Sequence, residues 1–217
     1  MKDAVISRNA VVYPRTKLGK GTVVEDFAVI GYPPKDKRLA ARGAAIEAGA
    51  LIRSHTIIYA GTKIGKGFQA GHNVLIREAT TIGDNVSIGT GSCIEHHVKI
   101  GNGVRIHSKV FIPEYTTLED GVWVGPNATF TNALHPLCPK VKECMKGALV
   151  KRGAKIGANA TLCPDITVGP HALIGAGSVV VGDVPGASVV CGNPAKTIKK
   201  ISALTCRYKL IGRPYAL

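Results

Sequence analysis

Aliphatic residues recur at every sixth position along this chain of 217 residues. From Ile46 the steps read Ile46, Ile52, Ile58, Ile64, Ala70, Ile76, Ile82, Ile88, Ile94, Ile100, Ile106, Ile112, Leu118, Val124 and Phe130 without a slip. The same period runs upstream through Ile6, Val12, Leu18, Val24 and Ile30. Downstream it returns at Val150, Ile156, Leu162, Val168, Ile174 and Val180. All but two of these positions are Ile, Leu or Val, and many are followed directly by Gly, as in Ile82-Gly83 and Ile156-Gly157. The residue two before each step is mostly small or Val, as at Ala44, Ala50, Thr56, Thr62, Val74, Thr80 and Val86.

A period of six is neither the 3.6 of a helix nor the simple alternation of a half-buried strand. It predicts a short strand and a turn, repeated so that one bulky aliphatic points inward per unit. Gly permits the tight turn, and β-branched residues suit the strand. Three units closing a triangular coil would stack Ile on Ile, with strands about 4.8 Å apart. An alternating β-sandwich has no reason to keep period six over residues 46–130.

The period breaks twice, at about 31–45 and at about 131–149. A solenoid needs neither insertion for its core, and loops thrown from a rigid scaffold are where sites tend to lie. The first reads GYPPKDKRLAARGAA and the second TNALHPLCPKVKECMKGAL.

The repeats resemble the hexapeptide-repeat family, an all-β fold whose chain winds as a left-handed parallel β-helix. The handedness comes from the resemblance, because general rules favour right-handed crossovers. It implies a β-helix domain over 1–183 carrying the two loops, and a C-terminal capping helix and tail over 184–217. Pro194 can open that helix, and Ile198, Ile201 and Leu204 would give it an apolar stripe. The family also implies a homotrimer with active sites in the clefts between neighbouring prisms.

Thr131-Asn132-Ala133-Leu134-His135-Pro136 resembles the loop of hexapeptide acetyltransferases in which a His before Pro is the general base. Phe130-Thr131-Asn132 is similar to the loop of enzymes that N-acetylate amino sugars carried on nucleotides. Many of those have Asn-Pro where this chain has His135-Pro136. Asn132 and His135 are thus the expected catalytic residues. Gly192-Asn193-Pro194-Ala195-Lys196, followed by Lys199 and Lys200, resembles the exit segment of coenzyme-A-using members. Asn193, Pro194 and the three lysines are the expected acetyl-CoA contacts, the lysines meeting phosphates by point-charge attraction. Arg53 and Arg77 sit in Leu-Ile-Arg segments similar to those of nucleotide-sugar acyltransferases. With Asn73 and Glu78 they are the expected acceptor contacts, although a salt bridge between coils explains the arginines equally well.

Composition sharpens this picture. Gly supplies 26 residues, Phe, Trp and Tyr together 5%, and Met only 2. The core is therefore aliphatic, and a narrow prism is expected to have no room for large rings. The net charge of +14 suits phosphorylated small molecules or polyanions. Scattered lysines with no aromatic interleaving argue against nucleic acid as the partner. Six cysteines without a C-x-x-C support neither a zinc nor a disulfide framework. The N-terminus lacks a signal-like apolar stretch, and no run approaches a membrane span. A soluble, reducing, cytoplasmic setting without membrane contact is the default expectation.

The leading reading is transfer of acetyl from acetyl-CoA to an amine on a nucleotide-linked sugar, with His135 taking the proton. An O-acetyltransferase acting on a sugar hydroxyl is one alternative. A γ-class carbonic-anhydrase-like metalloprotein is another, since that class shares the fold. Its H-x4-H pair is missing here, and His72 and His107 fall two coils apart, roughly 10 Å. No metal is expected. Cys138 and Cys144 in the His135 loop raise an acyl-cysteine route, and the tail from Leu204 has no assigned role.

Overall fold

The computed structural model describes residues 3–215, and almost all of them lie on one parallel β-solenoid. Each coil takes eighteen residues, as three two-residue strands and three turns. Val5–Ile6, Val11–Val12 and Lys17–Leu18 start three parallel sheets, of 11, 9 and 8 strands, here called faces A, B and C. Every sixth residue points inward, and from Val24 onward every one of the aliphatic steps is buried. Ile6 is 44% exposed, as among the described residues no coil packs beneath the first one.

The positions two before each step also point inward, which is why they are small. Buried Thr56, Thr62 and Thr80 donate their hydroxyls to the carbonyls of Gly71, Arg77 and Glu95. That satisfies polar groups that burial would otherwise penalise. The expectation that rings do not fit is corrected: Phe68 and Phe130 are fully buried. Each stands two residues from a small inward neighbour, Ala70 and Ala128, so ring and methyl divide the volume of one coil.

The residue between the two inward ones faces out, giving each face its own character. Face B presents Val11, Val29, Ile57, Leu75, Cys93 and Phe111, then Thr129, Thr161 and Val179, with no charge in the column. Face C alternates Lys63, Thr81, Lys99 and Thr117. Face A carries Gln69, Ser87, Arg105, Trp123 and Lys155.

Both insertions leave from the same corner, between faces B and C. The first contains a single helical turn, Lys37–Ala40, capped by the Asp36 carboxylate. The second contains another, Val141–Cys144.

At the far end the helix expected from Pro194 is replaced by a hairpin. Ser188–Gly192 adds to face A, then Ala195–Lys200 folds back antiparallel upon it. The edge of Ser188–Gly192 offers unpaired amides and carbonyls, and a strand with β-branched Thr197 and Ile198 closes that edge where a helix would leave it open. Only Ile201–Ala203 is helical, as one 3-10 turn that buries Ile201. Among the described residues no helix is long and apolar enough to cross a membrane.

Candidate functional site

Corner BC, between the two insertions, gathers most of the chain's interacting charged side chains. With eighteen residues per coil, Glu78, His96, Glu114 and Asn132 stack in one column. Asn132 Nδ2 donates to Glu114 Oε2 at 2.7 Å, and His96 Nε2 lies 3.4 Å from Glu114 Oε1. His96 Nδ1 is 2.8 Å from His97 Nδ1.

One position earlier stand Arg77 and Glu95. The Arg77 guanidinium meets Glu78 at 2.8 Å and Glu95 at 3.0 Å, and lies 5.1 Å from the Tyr59 ring. The hydrogen bond to Glu78 raises the Arg77 pKa further. Burial pushes the Glu78 carboxyl up, but the Arg77 hydrogen bond and nearby positive charge outweigh it and leave its pKa below the usual range. The Cys93 thiol is pushed up to about 11, by burial first and the Glu95 carboxylate second.

His97 and Tyr115 occupy the left-handed turn position, with φ of +59° and +66°, that recurs at every corner of the solenoid, as at Phe27 and His55 on corner AB. Tyr115 also packs against both histidine rings.

The structure thus brings Asn132, Arg77 and Glu78 together. It adds Glu95, His96, His97 and Glu114, which the period of six did not single out. The signal was the period of eighteen, which aligns Glu78 and Asn132 with His96 and Glu114. Arg53 and Asn73 are on another corner, between faces A and B, where Arg53 pairs loosely with Glu25 at 3.8 Å. His135 lies on the second insertion three residues past Asn132, with an exposed side chain. Lys196, Lys199 and Lys200 are exposed on the closing strand of face A, with Asn193 and Pro194 at its hairpin turn. Among the described residues no group of three or more His, Cys, Asp or Glu is placed to hold a metal.

The "Bacterial transferase hexapeptide (six repeats)" family model matches residues 79–114 and 147–182, on either side of the second insertion. Those two stretches, about a third of the chain, carry that family's repeat. The first matched segment includes His96, His97 and Glu114.

Among curated relatives, the galactoside O-acetyltransferase of Lactococcus lactis is 32% identical over 85 residues. That covers 37% of this chain and 41% of the relative. The dTDP-3-amino-3,6-dideoxy-alpha-D-galactopyranose 3-N-acetyltransferase of Aneurinibacillus thermoaerophilus is 38% identical over 69 residues, covering 32% and 36%. The matches span about two fifths of these relatives' lengths. A UDP-N-acetylglucosamine acyltransferase from Bacteroides fragilis, known as LpxA, shares the fold. It superposes with a TM-score of 0.60 at 19% identity, covering 89% of this chain and 74% of its own.

Proposed function

We propose that this protein transfers an acetyl group from acetyl-CoA to the amine of a nucleotide-linked sugar, with corner BC as the acceptor site. The observation that carries the reading is the Asn132–Glu114–His96 chain of contacts, which fixes an imidazole beside a carboxylate at the foot of an inserted loop. The named relatives include an amino-sugar N-acetyltransferase and a sugar O-acetyltransferase, so sugars are the acceptor class they support.

In the step itself the amine nitrogen attacks the thioester carbonyl, the C–N bond forms and the C–S bond breaks. The amine proton passes to an imidazole, and the coenzyme A thiolate takes up a proton as it leaves. Neutral imidazole has suitable basicity near pH 7. Two histidine sites compete for that role. His135 is the base by resemblance of its loop, yet its side chain is exposed and has no hydrogen-bond partner among the described residues. The His96–His97 pair is held in place. Assigning protons from the hydrogen-bond network, Nε2–H of His96 points to Glu114 and Nδ1–H of His97 to His96. That leaves Nε2 of His97 as a free acceptor backed by a carboxylate, and this pair is the base we favour.

Acetyl-CoA would lay its phosphates near Lys196, Lys199 and Lys200, beside Asn193 and Pro194. Charge-free face B supports the homotrimer reading, because a sheet face that is apolar from Val11 to Phe111 is an interface in waiting. Leu75→Lys, at the centre of that face, should convert the assembly to monomer in sedimentation analysis.

The decisive assay is thiol release from acetyl-CoA against a panel of amino-sugar nucleotides and plain sugars. Release dependent on an amino-sugar nucleotide supports the reading, and release with hydroxyl acceptors alone replaces it by O-acetylation. Full kcat in both His97→Gln and His96→Gln, with loss in His135→Gln, would return the base to His135.

A further inference from the structure

Face A holds a groove of about 270 Å³ near corner AB, whose lining includes no residue of either insertion. Its lining includes Arg53, Ser87, Thr90, Arg105, His107 and Ser108, and no carboxylate. Arg105 makes no ion pair among the described residues. Arg53 is only loosely engaged, by Glu25 at 3.8 Å. Ser87 and Arg105 are successive outward residues of one sheet column, so a guanidinium and a hydroxyl are set on rigid strands rather than on a loop. The wall behind them is built: His107 packs on Trp123 with ring centroids 4.7 Å apart, and its Nε2 is buried without a hydrogen-bond partner.

The geometry points to an anion site in this groove, for a phosphate or pyrophosphate group. An unpaired guanidinium, Arg105, and a second that Glu25 holds only loosely, flanked by hydroxyls, match the acceptor oxygens of a phosphate, which arginine recognises bidentately. The volume falls below that of pockets for drug-sized ligands, which suits the charged part of a larger molecule lying along the face. The inference deepens the function proposed above, where both substrates carry a pyrophosphate, and it adds Arg105 and His107 to the residues engaged. The pyrophosphate comes either from coenzyme A, whose phosphates would then lie here in place of Lys196, Lys199 and Lys200, or from the sugar nucleotide.

The test uses the full chain, titrated with inorganic pyrophosphate, coenzyme A and UDP by calorimetry. Fluorescence of Trp123, the only tryptophan, gives a reading local to the groove. Pyrophosphate should bind, perturb that fluorescence, and lose about tenfold or more in affinity in Arg105→Ala, the effect of one charge-assisted contact. Ser87→Asp, which places a carboxylate in the groove at an outward position, should weaken binding as well. Lys99→Ala on face C should leave it unchanged. A loss in Arg105→Ala confined to coenzyme A assigns the site to the acyl donor, and one confined to UDP assigns it to the acceptor. If pyrophosphate fails to bind, or binds folded Arg105→Ala and Ser87→Asp as it binds wild type, the anion site is wrong. Acetyl transfer measured alongside separates the two readings. Transfer with unchanged pyrophosphate binding in both variants sinks only the groove, and the expected binding without transfer to any acceptor sinks only the enzyme reading.

Discussion

At corner CA, between faces C and A, side chains bond to backbone; at corner BC they bond to one another. The carboxylate of Asp84 accepts from the Lys66 amide at 2.7 Å, Asn102 from the Asp84 amide at 2.8 Å, and Asp120 from the Asn102 amide at 2.6 Å. Each coil is thereby pinned to the one before. The left-handed turn position there is mostly glycine, as at Gly49, Gly67, Gly103 and Gly121. Corner BC has the same turn plan, yet it fills that position with Ala79, His97 and Tyr115 and spends its charges on Arg77, Glu78, Glu95, His96 and Glu114. One corner is occupied with holding the solenoid, which leaves its polar groups committed. The other leaves the holding to strands and core, and its polar groups are available for chemistry.

Substitutions at the two corners should therefore separate activity from stability. The largest effect belongs to corner BC. Glu114→Gln or His97→Gln should lower kcat by about a hundredfold or more, the scale of general acid–base catalysis. The midpoint of thermal unfolding should barely move, because these side chains lie outside the buried core. A loss of kcat that tracks unfolding would erase the distinction between the corners.

Gly101→Ala is the counterpart at corner CA. A Cβ there would come within 2.7 Å of the Asp120 backbone nitrogen and 2.9 Å of the Glu119 carbonyl carbon. The coils cannot separate locally without breaking the ladder, so a cost of about 1–3 kcal/mol is expected, as for other overpacked sites. Denaturant titration should show it, while kcat per folded molecule stays at the wild-type value.

How much of this was legible beforehand differs between the same two corners. The period of six located the core steps, the two insertions and the Gly-rich turns, because each unit repeats one physical demand. It did not reveal that Phe68 fits inside, since that depends on Ala70, two residues on, giving up volume in the same coil. Nor did it foresee the closing hairpin. The apolar spacing of Ile198, Ile201 and Leu204 fits a helix, and only the open edge of Ser188–Gly192 makes a strand the better partner. At corner BC, Arg77, Glu78 and Asn132 were visible through their motifs. His96 and Glu114 carry no motif of their own and stand out only when the chain is folded into coils of eighteen residues. Arg53 and Asn73 read as companions of Arg77 in sequence, but a different turn carries them to another corner.

A smaller effect should come from the Arg77–Glu78 pair. A carboxylate whose folded pKa lies below its unfolded value stabilises the fold above the unfolded value, about 4.3 for Glu. That contribution disappears as pH falls through the folded pKa. Since Glu78 is shifted downward, unfolding midpoints of wild type should drop on acidification below about pH 4. Glu78→Gln should begin lower at neutral pH and show a shallower drop, and parallel curves would mean that the pair adds nothing.

The smallest expected effect tests whether corner BC also controls the Cys93 thiol on the adjoining strand of face B. With its pKa near 11, Cys93 is ionised to only about one part in a thousand at pH 8, against roughly a quarter for an ordinary thiol of pKa about 8.5. The more basic thiolate is intrinsically the better nucleophile, which recovers about tenfold of that difference. Alkylation of Cys93, followed by mass spectrometry, should then run roughly twentyfold slower than that of a free model thiol at pH 8. Glu95→Gln removes a negative charge that holds the proton on sulfur, so it should speed alkylation by about a few-fold. Arg77→Ala removes a positive charge that favours the thiolate and should slow it. Opposite signs from two neighbours 3.0 Å apart are the signature of an electrostatic cluster acting on the thiol. A change of the same sign in both would mean that the substitutions act by loosening the coil instead.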